Sequence, residues 1–222
     1  MLTLTQDCTL PSLFAATHEE PYDARKSGFA SWPKTKWTWG GELPEREGVY
    51  ELKIHRGKTL FLSPEAARVA DPLCRAALAE AEEAADDGAR LLRHLHAAGP
   101  STVDELKAEL GLEARSLRKV REKLERFGAL VAKGITIEDQ RGGHRHSSVL
   151  SRWDQVWPRP WKATEDTALE ELVVTGVRAA VVTHEDEVRT WFSWPVARQA
   201  IGGLVASGRL LRPMSGWIAV AP

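Results

Sequence analysis

The chain has 222 residues, of which 43% are hydrophobic and 27% are charged. This balance is typical of folded globular proteins and excludes a disordered or fibrous chain. Its 30 Lys and Arg residues and 31 Asp and Glu residues give a net charge of -1, which excludes a polycation that coats nucleic acid along its whole surface. Any charge that binds DNA must therefore be local.

The two cysteines and the apolar segments indicate further which class of protein this is. Cys8 and Cys74 are far apart in sequence and match no metal-ligand spacing, so we expect small buried side chains, no metal and no cofactor. The N-terminus lacks the pattern of a signal peptide, and no apolar run reaches the ~18 residues of a membrane span. We therefore expect a bacterial protein of the cytoplasm that has no contact with membranes.

Residues 1–70 are predicted to form an N-terminal region with a basic hairpin. Residues 49–55 alternate between apolar and polar side chains, Arg56 and Gly57 form a turn, and residues 58–62 return as a second strand. Ser63 and Pro64 then begin a helix. Residues 21–47 are rich in Gly and Pro, which predicts irregular structure.

Residues 71–151 carry the clearest pattern. We predict helices over 71–87, 89–98, 103–110 and 113–127, with Ser101 or Thr102 as a cap and Glu105 at capping-box distance. A short strand over 129–132 and a hairpin of 135–139 with 147–151 follow. Helix, helix-turn-helix and a two-stranded wing is the order of a winged-helix domain.

Residues 164–222 look like a weaker repeat of that plan, after a linker over 152–163 that is rich in Trp and Pro. We predict helices over 166–174, 184–192 (capped by Thr183) and 193–207, then a hairpin of 210–213 with 217–220. The predicted fold class is therefore α+β, mainly α, with tandem winged-helix domains and small β-hairpin wings.

The helix over 113–127 carries the main functional evidence. Apolar residues spaced three and four apart form one stripe, and basic residues occupy the opposite side. Such a helix fits the major groove, where arginine can bridge guanine or contact phosphate, although a solvated face of paired charges has a similar pattern. The predicted DNA contacts on this helix are Arg115, Arg118, Lys119, Lys123 and Arg126.

Further DNA contacts are predicted on two hairpins and near the N-terminal tryptophans. The wing supplies Arg141, His144 and Arg145, which suit phosphate contacts. Basic residues interleaved with aromatic residues can bind nucleic acid, which adds Lys34, Lys36, Arg56 and Lys58. A metal held by His144 and His146 is the alternative for the wing, but two histidines without a third ligand do not make a metal site.

Two runs of the sequence resemble a known family. The runs Phe29-Ala-Ser-Trp-Pro-Lys-Thr-Lys-Trp-Thr-Trp-Gly40 and Leu52-Lys-Ile-His-Arg-Gly-Lys-Thr-Leu-Phe-Leu62, followed by winged-helix patterns, are similar to tandem winged-helix proteins related to AlkZ-type DNA glycosylases. The resemblance implies a concave DNA-binding surface built from several winged helices, with residues 1–62 as a degenerate first one. Those glycosylases carry a Gln-x-Gln or Gln-x-Asp pair, and none of the four glutamines here begins such a motif.

These patterns lead to one hypothesis and its alternatives. The sequence predicts a protein that binds double-stranded DNA at the nucleoid, linked to DNA repair or genome maintenance, without a catalytic site of its own. The alternatives are a DNA glycosylase with an unorthodox site, and a protein-interaction module or transcription regulator. The acidic C-terminal domain exposes Gly202 and Gly203, so self-association or a protein partner is expected there.

Overall fold

The computed structural model describes residues 1–17, 34–138 and 143–221, with the backbone alone for residues 34–36. This part of the chain contains ten helices and nine short strands. The strands form three separate antiparallel sheets of three strands each, and helix predominates, so the chain is an α+β protein. None of the described helices is long and apolar enough to cross a bilayer.

The first sheet combines a short N-terminal strand with the predicted hairpin. Its elements are β1 (Leu2–Thr3), α1 (Leu13–Thr17), α2 (Lys34–Glu42), a 3-10 turn (Leu43–Glu45), β2 (Tyr50–His55) and β3 (Lys58–Leu62). The strand order is β1-β3-β2, which confirms the hairpin.

Helix α2 corrects the prediction that residues 21–47 are irregular. Residues 34–42 are helical, while residues 18–33 lie outside the described part of the chain. Two glycines close to the end of a helix cost only about 1 kcal/mol each. A side chain added at Gly40 would lie in ordinary contact with Leu4 and Leu13, so this part of α2 packs against the N-terminal segment.

Two helices connect the first and second sheets. Helix α3 (Pro64–Glu83) begins as predicted, with Ser63 Oγ accepting a hydrogen bond from the Ala66 N–H. This helix also includes most of the helix predicted separately over 71–87, whose bounds are wrong because α3 is continuous from Pro64 and stops at Glu83. Asp86 instead begins α4 (Asp87–Ala98), since its carboxylate accepts from the Ala89 N–H at 3.1 Å.

The second sheet follows the same plan as the first. After α4 come β4 (Ser101–Thr102), α5 (Val103–Leu110), α6 (Ala114–Arg126), β5 (Leu130–Glu138) and β6 (His144–Arg152), with the strand order β4-β6-β5. The predicted capping box is confirmed between Thr102 and Glu105. The prediction of a separate strand over 129–132 is wrong, because β5 runs without a break through Gly134 and forms the first strand of the hairpin.

The third sheet repeats the strand order once more. Its elements are α7 (Trp153–Val156), α8 (Glu165–Ala180), β7 (Val182–His184), α9 (Glu185–Val188), α10 (Arg198–Ala206), β8 (Leu210–Met214) and β9 (Trp217–Val220), with the order β7-β9-β8. Thr183 was predicted as a helix cap but is a buried strand residue, and His184 caps α9 instead. The last helix begins at Arg198 rather than at 193, because Pro195 disfavours helical backbone at Trp194.

Buried apolar side chains divide into two clusters. One joins the first and third sheets through residues such as Ile54, Leu60 and Trp191. The other belongs to the second sheet and packs α4, α5 and α6 together, for example through Leu92 and Leu117. The second sheet and its helices therefore have a core of their own, whereas the first and third sheets share one.

Candidate nucleic-acid interface

Helix α6 has one buried side and one basic side. Leu117 and Leu124 are buried, and Val120 packs beside them, which fixes the rotation of the helix. Rotation by 100° per residue then places most of its cations outside. All five predicted contacts on this helix are exposed: Arg115, Arg118, Lys119, Lys123 and Arg126.

The five exposed cations differ in how they are paired. Arg118 forms an ion pair with Glu122 at 2.7 Å, and Lys123 contacts Asp86 at 3.4 Å. The other three cations of this face, Arg115, Lys119 and Arg126, form no ion pair with any residue in the described ranges. An incoming anion would compete with no carboxylate for these three side chains.

The flank of α6 that faces β2 carries a buried carboxylate that the sequence did not indicate. Glu125 is only 2% exposed, and it binds both Arg121 on the same helix and Lys53 on β2. Arg121 also donates to Ser148 Oγ at 3.3 Å. A buried carboxylate needs such partners, so this triad fixes the hairpin of the first sheet against α6. The spacing of Arg121 and Glu125 could have indicated a pair, but Lys53 lies 72 residues away.

The hairpin that the sequence predicts as a wing is long and consists of β5 and β6. Arg145 is exposed but forms an ion pair with Asp104 at 2.7 Å, and this bond holds the pKa of Asp104 below its ordinary value. His144 and His146 share one face, with ring centroids 5.7 Å apart. Arg141 lies outside the described residues, as does most of the hairpin tip.

The hairpin of the first sheet presents its two predicted cations in a paired state. Arg56 and Lys58 both contact the carboxylate of Asp7, the former at 3.3 Å. Arg56 has φ +55°, a left-handed conformation that is uncommon outside glycine, and Gly57 follows with φ +80°. Two residues of positive φ are typical of the tight turn that joins strands of right-handed twist. The side chains of Lys34 and Lys36 lie outside the described part.

Asp7, Cys8 and His55 form a polar cluster between the first and third sheets. Their ligand atoms lie within 4.8 Å of one another, as metal ligands would. The Trp191 carbonyl accepts from His55 Nδ1 at 2.6 Å, which leaves Nε2 of a neutral ring to accept from Arg56 at 2.9 Å.

The charges around this cluster do not suit a cation. Burial lowers the pKa of His55 and outweighs the opposite effect of Asp7. Burial also raises the pKa of the Cys8 thiol to about 11, so the metal-binding thiolate is disfavoured. Lys58 and Arg56 already contact the Asp7 carboxylate. The cations of the chain itself therefore take the place that a metal would need.

Comparison with known proteins gives one match. The family model of AlkZ-like DNA glycosylases matches residues 37–214, which include the β2–β3 hairpin, all of the second sheet, and β7 and β8 of the third. No curated protein and no solved structure matches. The match spans most of the chain, so this protein belongs to the AlkZ-like DNA glycosylase family.

Proposed function

We propose that this protein binds double-stranded DNA through tandem winged-helix domains and serves DNA repair or genome maintenance. Three sheets of identical strand order, each a short strand followed by helices and a hairpin, support the tandem arrangement. The domain boundaries we propose are 1–70, 71–151, a linker over 152–163, and 164–222, with α3 continuous across the first boundary. Membership of the family supports DNA as the partner.

The basic face of α6 is the observation that carries this proposal. Arg115, Lys119 and Arg126 are exposed, lie on one side of the helix, and have no carboxylate partner within the described ranges. Their spacing of four and seven residues places them one above another along the helix. An α-helix fits the major groove, and unpaired cations there gain phosphate contacts without first breaking an ion pair.

The domain of residues 164–222 is proposed to bind protein rather than DNA. Four of its five arginines are paired with acids of the same domain; for example, Arg198 pairs with Asp186 at 3.0 Å, and Arg212 pairs with Glu185 at 2.6 Å. Helix α10 precedes the hairpin of the third sheet, as α6 precedes the hairpin of the second. Side chains added at Gly202 and Gly203 of α10 would contact nothing within 4 Å. A protein partner or a second copy of the chain suits this open, uncharged backbone better than DNA does.

Fluorescence anisotropy with a labelled duplex across a range of salt tests DNA binding. We expect affinity to fall with salt, and Arg115→Ala/Lys119→Ala to lower the log–log salt slope by about 1.8, which is two phosphate contacts. Lys162→Ala/Arg178→Ala removes the same charge from exposed residues of the linker and the C-terminal domain and should change little. An undiminished slope in the first variant would contradict the role of α6. Absence of binding at low salt would favour a protein-interaction module.

A DNA glycosylase is the second candidate function, because the family itself is one of DNA glycosylases. We propose that this chain lacks the catalytic step. Gln155 follows the second sheet directly, and its amide already donates to the Leu95 carbonyl and accepts from the Arg152 N–H. Incubation with a panel of damaged duplexes, followed by measurement of abasic sites, decides between the two. Base release that exceeds a no-protein control would establish an enzyme.

A further inference from the structure

A polar cleft runs beside α6, between that helix, α5, β2 and β6. It consists of two adjoining recesses of about 330 and 310 Å³, which share Val103, Lys107 and Arg121. Arg118 and Glu122 line the cleft and also belong to the exposed side of α6. The cleft therefore opens next to the face that we propose to contact DNA.

Cations outnumber carboxylates in this cleft. Five cationic side chains line it, from four different elements: Lys53, Lys107, Arg118, Arg121 and Arg145. Three carboxylates oppose them: Asp104, Glu122 and Glu125. The hydroxyls of Ser147 and Ser148 add neutral donors at one end. A surface of this composition favours an anion that can accept several hydrogen bonds at once.

The cations keep donors in reserve despite their internal pairs. A guanidinium has five N–H donors, and within the described residues Arg121 uses only its Nε and Nη2, toward Glu125 and Ser148. Lys107 contacts Asp104 at 3.4 Å, which is long for a charged pair, and its side chain is 38% exposed. Phosphate oxygens accept hydrogen bonds from such donors without having to displace the buried triad.

We propose that this cleft binds a phosphate of the DNA backbone, so that α5 and the hairpin of the first sheet join α6 in one interface. This inference rests on the proposed DNA binding and extends it across the junction of two domains. In this arrangement the buried bond between Lys53 and Glu125 fixes the first hairpin beside the bound strand. Lys107 and Arg121 provide the phosphate contacts, and Asp104, which also pairs with Arg145 at 2.7 Å, competes with the phosphate for the cations of the cleft.

Lys107→Ala tests the contact, because this side chain is half-exposed and has only a long bond to lose. In anisotropy titrations we expect the salt slope to fall by about 0.9 relative to wild type. Lys162→Ala is the matched control and should leave the slope unchanged. Wild-type binding that depends on Arg115 and Lys119, together with an unchanged slope for Lys107→Ala, would overturn the cleft while leaving the proposed function intact.

Asp104→Asn tests the same idea with a gain of affinity, which a folding defect would not produce. Removing the competing carboxylate should tighten duplex binding on the order of threefold, in keeping with a partly exposed ion pair. Asp166→Asn removes an acid from the first turn of another helix and should not tighten binding. Equal affinities of wild type and Asp104→Asn would contradict competition between Asp104 and the phosphate for Lys107 and Arg145.

Discussion

Asp71 is the acceptor on which the Trp-rich segment after the second sheet depends. Its carboxylate is fully buried in α3 and accepts three hydrogen bonds of 2.8 Å, from Arg75 Nε, Trp153 Nε1 and the Trp161 N–H. The last two donors lie 82 and 90 residues away along the chain. This one side chain therefore joins α3 to the segment that leads into the third sheet.

Asp71→Ala should cost about 4 kcal/mol of the free energy of unfolding. The substitution leaves the Trp153 and Trp161 N–H groups without an acceptor, and each buried donor left unpaired costs about 1–3 kcal/mol. Arg75 keeps its bond to the Trp157 carbonyl at 2.5 Å, so its charge is not left without any partner. Asp71→Asn should cost about half as much, since its single oxygen can serve Trp153 and Arg75 while its amide faces the Trp161 N–H.

Urea unfolding followed by far-UV circular dichroism measures these costs. Glu80→Ala is the control, because Glu80 is an exposed acid on the same helix, and its removal should change stability by less than about 0.5 kcal/mol. A loss below about 1 kcal/mol for Asp71→Ala would mean that the segment rearranges to satisfy its own donors. The three bonds would then not hold the segment in place.

Three further predictions concern stability. Gly176→Ala should cost about 1–3 kcal/mol in thermal unfolding, because its Cβ would lie 2.8 Å from the Trp191 ring, whereas Gly202→Ala in open space should gain about 0.5–1 kcal/mol. Thr102→Ala should cost about 1 kcal/mol in urea unfolding, since it removes the capping box; a neutral result would mean that water caps the helix equally well. Burial lowers the pKa of His55 below its ordinary 6.5, so the stability that the neutral ring contributes is present above pH 6.5 and declines as the pH falls below that value. His55→Gln should flatten that decline, and an unchanged pH profile would assign the decline to other groups.

The sequence predicts best those elements whose signals are local. The apolar stripe of α6, the Thr102 cap and the Arg56-Gly57 turn each lie within a few residues, and the structure has all three. The strands β4 and β7 were missed because they have two or three residues, too few for any periodicity. Thr183 is a residue type that often caps helices, but the pairing of β7 with β9 overrides that local preference.

The candidate interface likewise has features that local sequence predicts and features that depend on tertiary contacts. The exposed face of α6 follows from helical periodicity alone, so the sequence predicts which cations lie on it. Lys53 and Glu125 meet only because β2 packs against α6, a contact between residues 72 positions apart. The pairing of Arg145 with Asp104 likewise depends on tertiary structure. Sequence therefore identified where positive charge is exposed, but not which of those charges are already neutralised.

The number of unpaired cations determines how strongly salt should affect DNA binding. The chain has a net charge of -1, so its long-range field does not attract DNA, and binding must come from local contacts. Arg115, Lys119 and Arg126 are unpaired within the described ranges, and Lys107 and Arg121 have donors to spare. Five phosphate contacts give a log–log salt slope of about 4.5. A slope near ten would require about eleven phosphate contacts, more than twice the five counted above, and would extend the interface to paired residues such as Arg56 and Lys58 or beyond the described part.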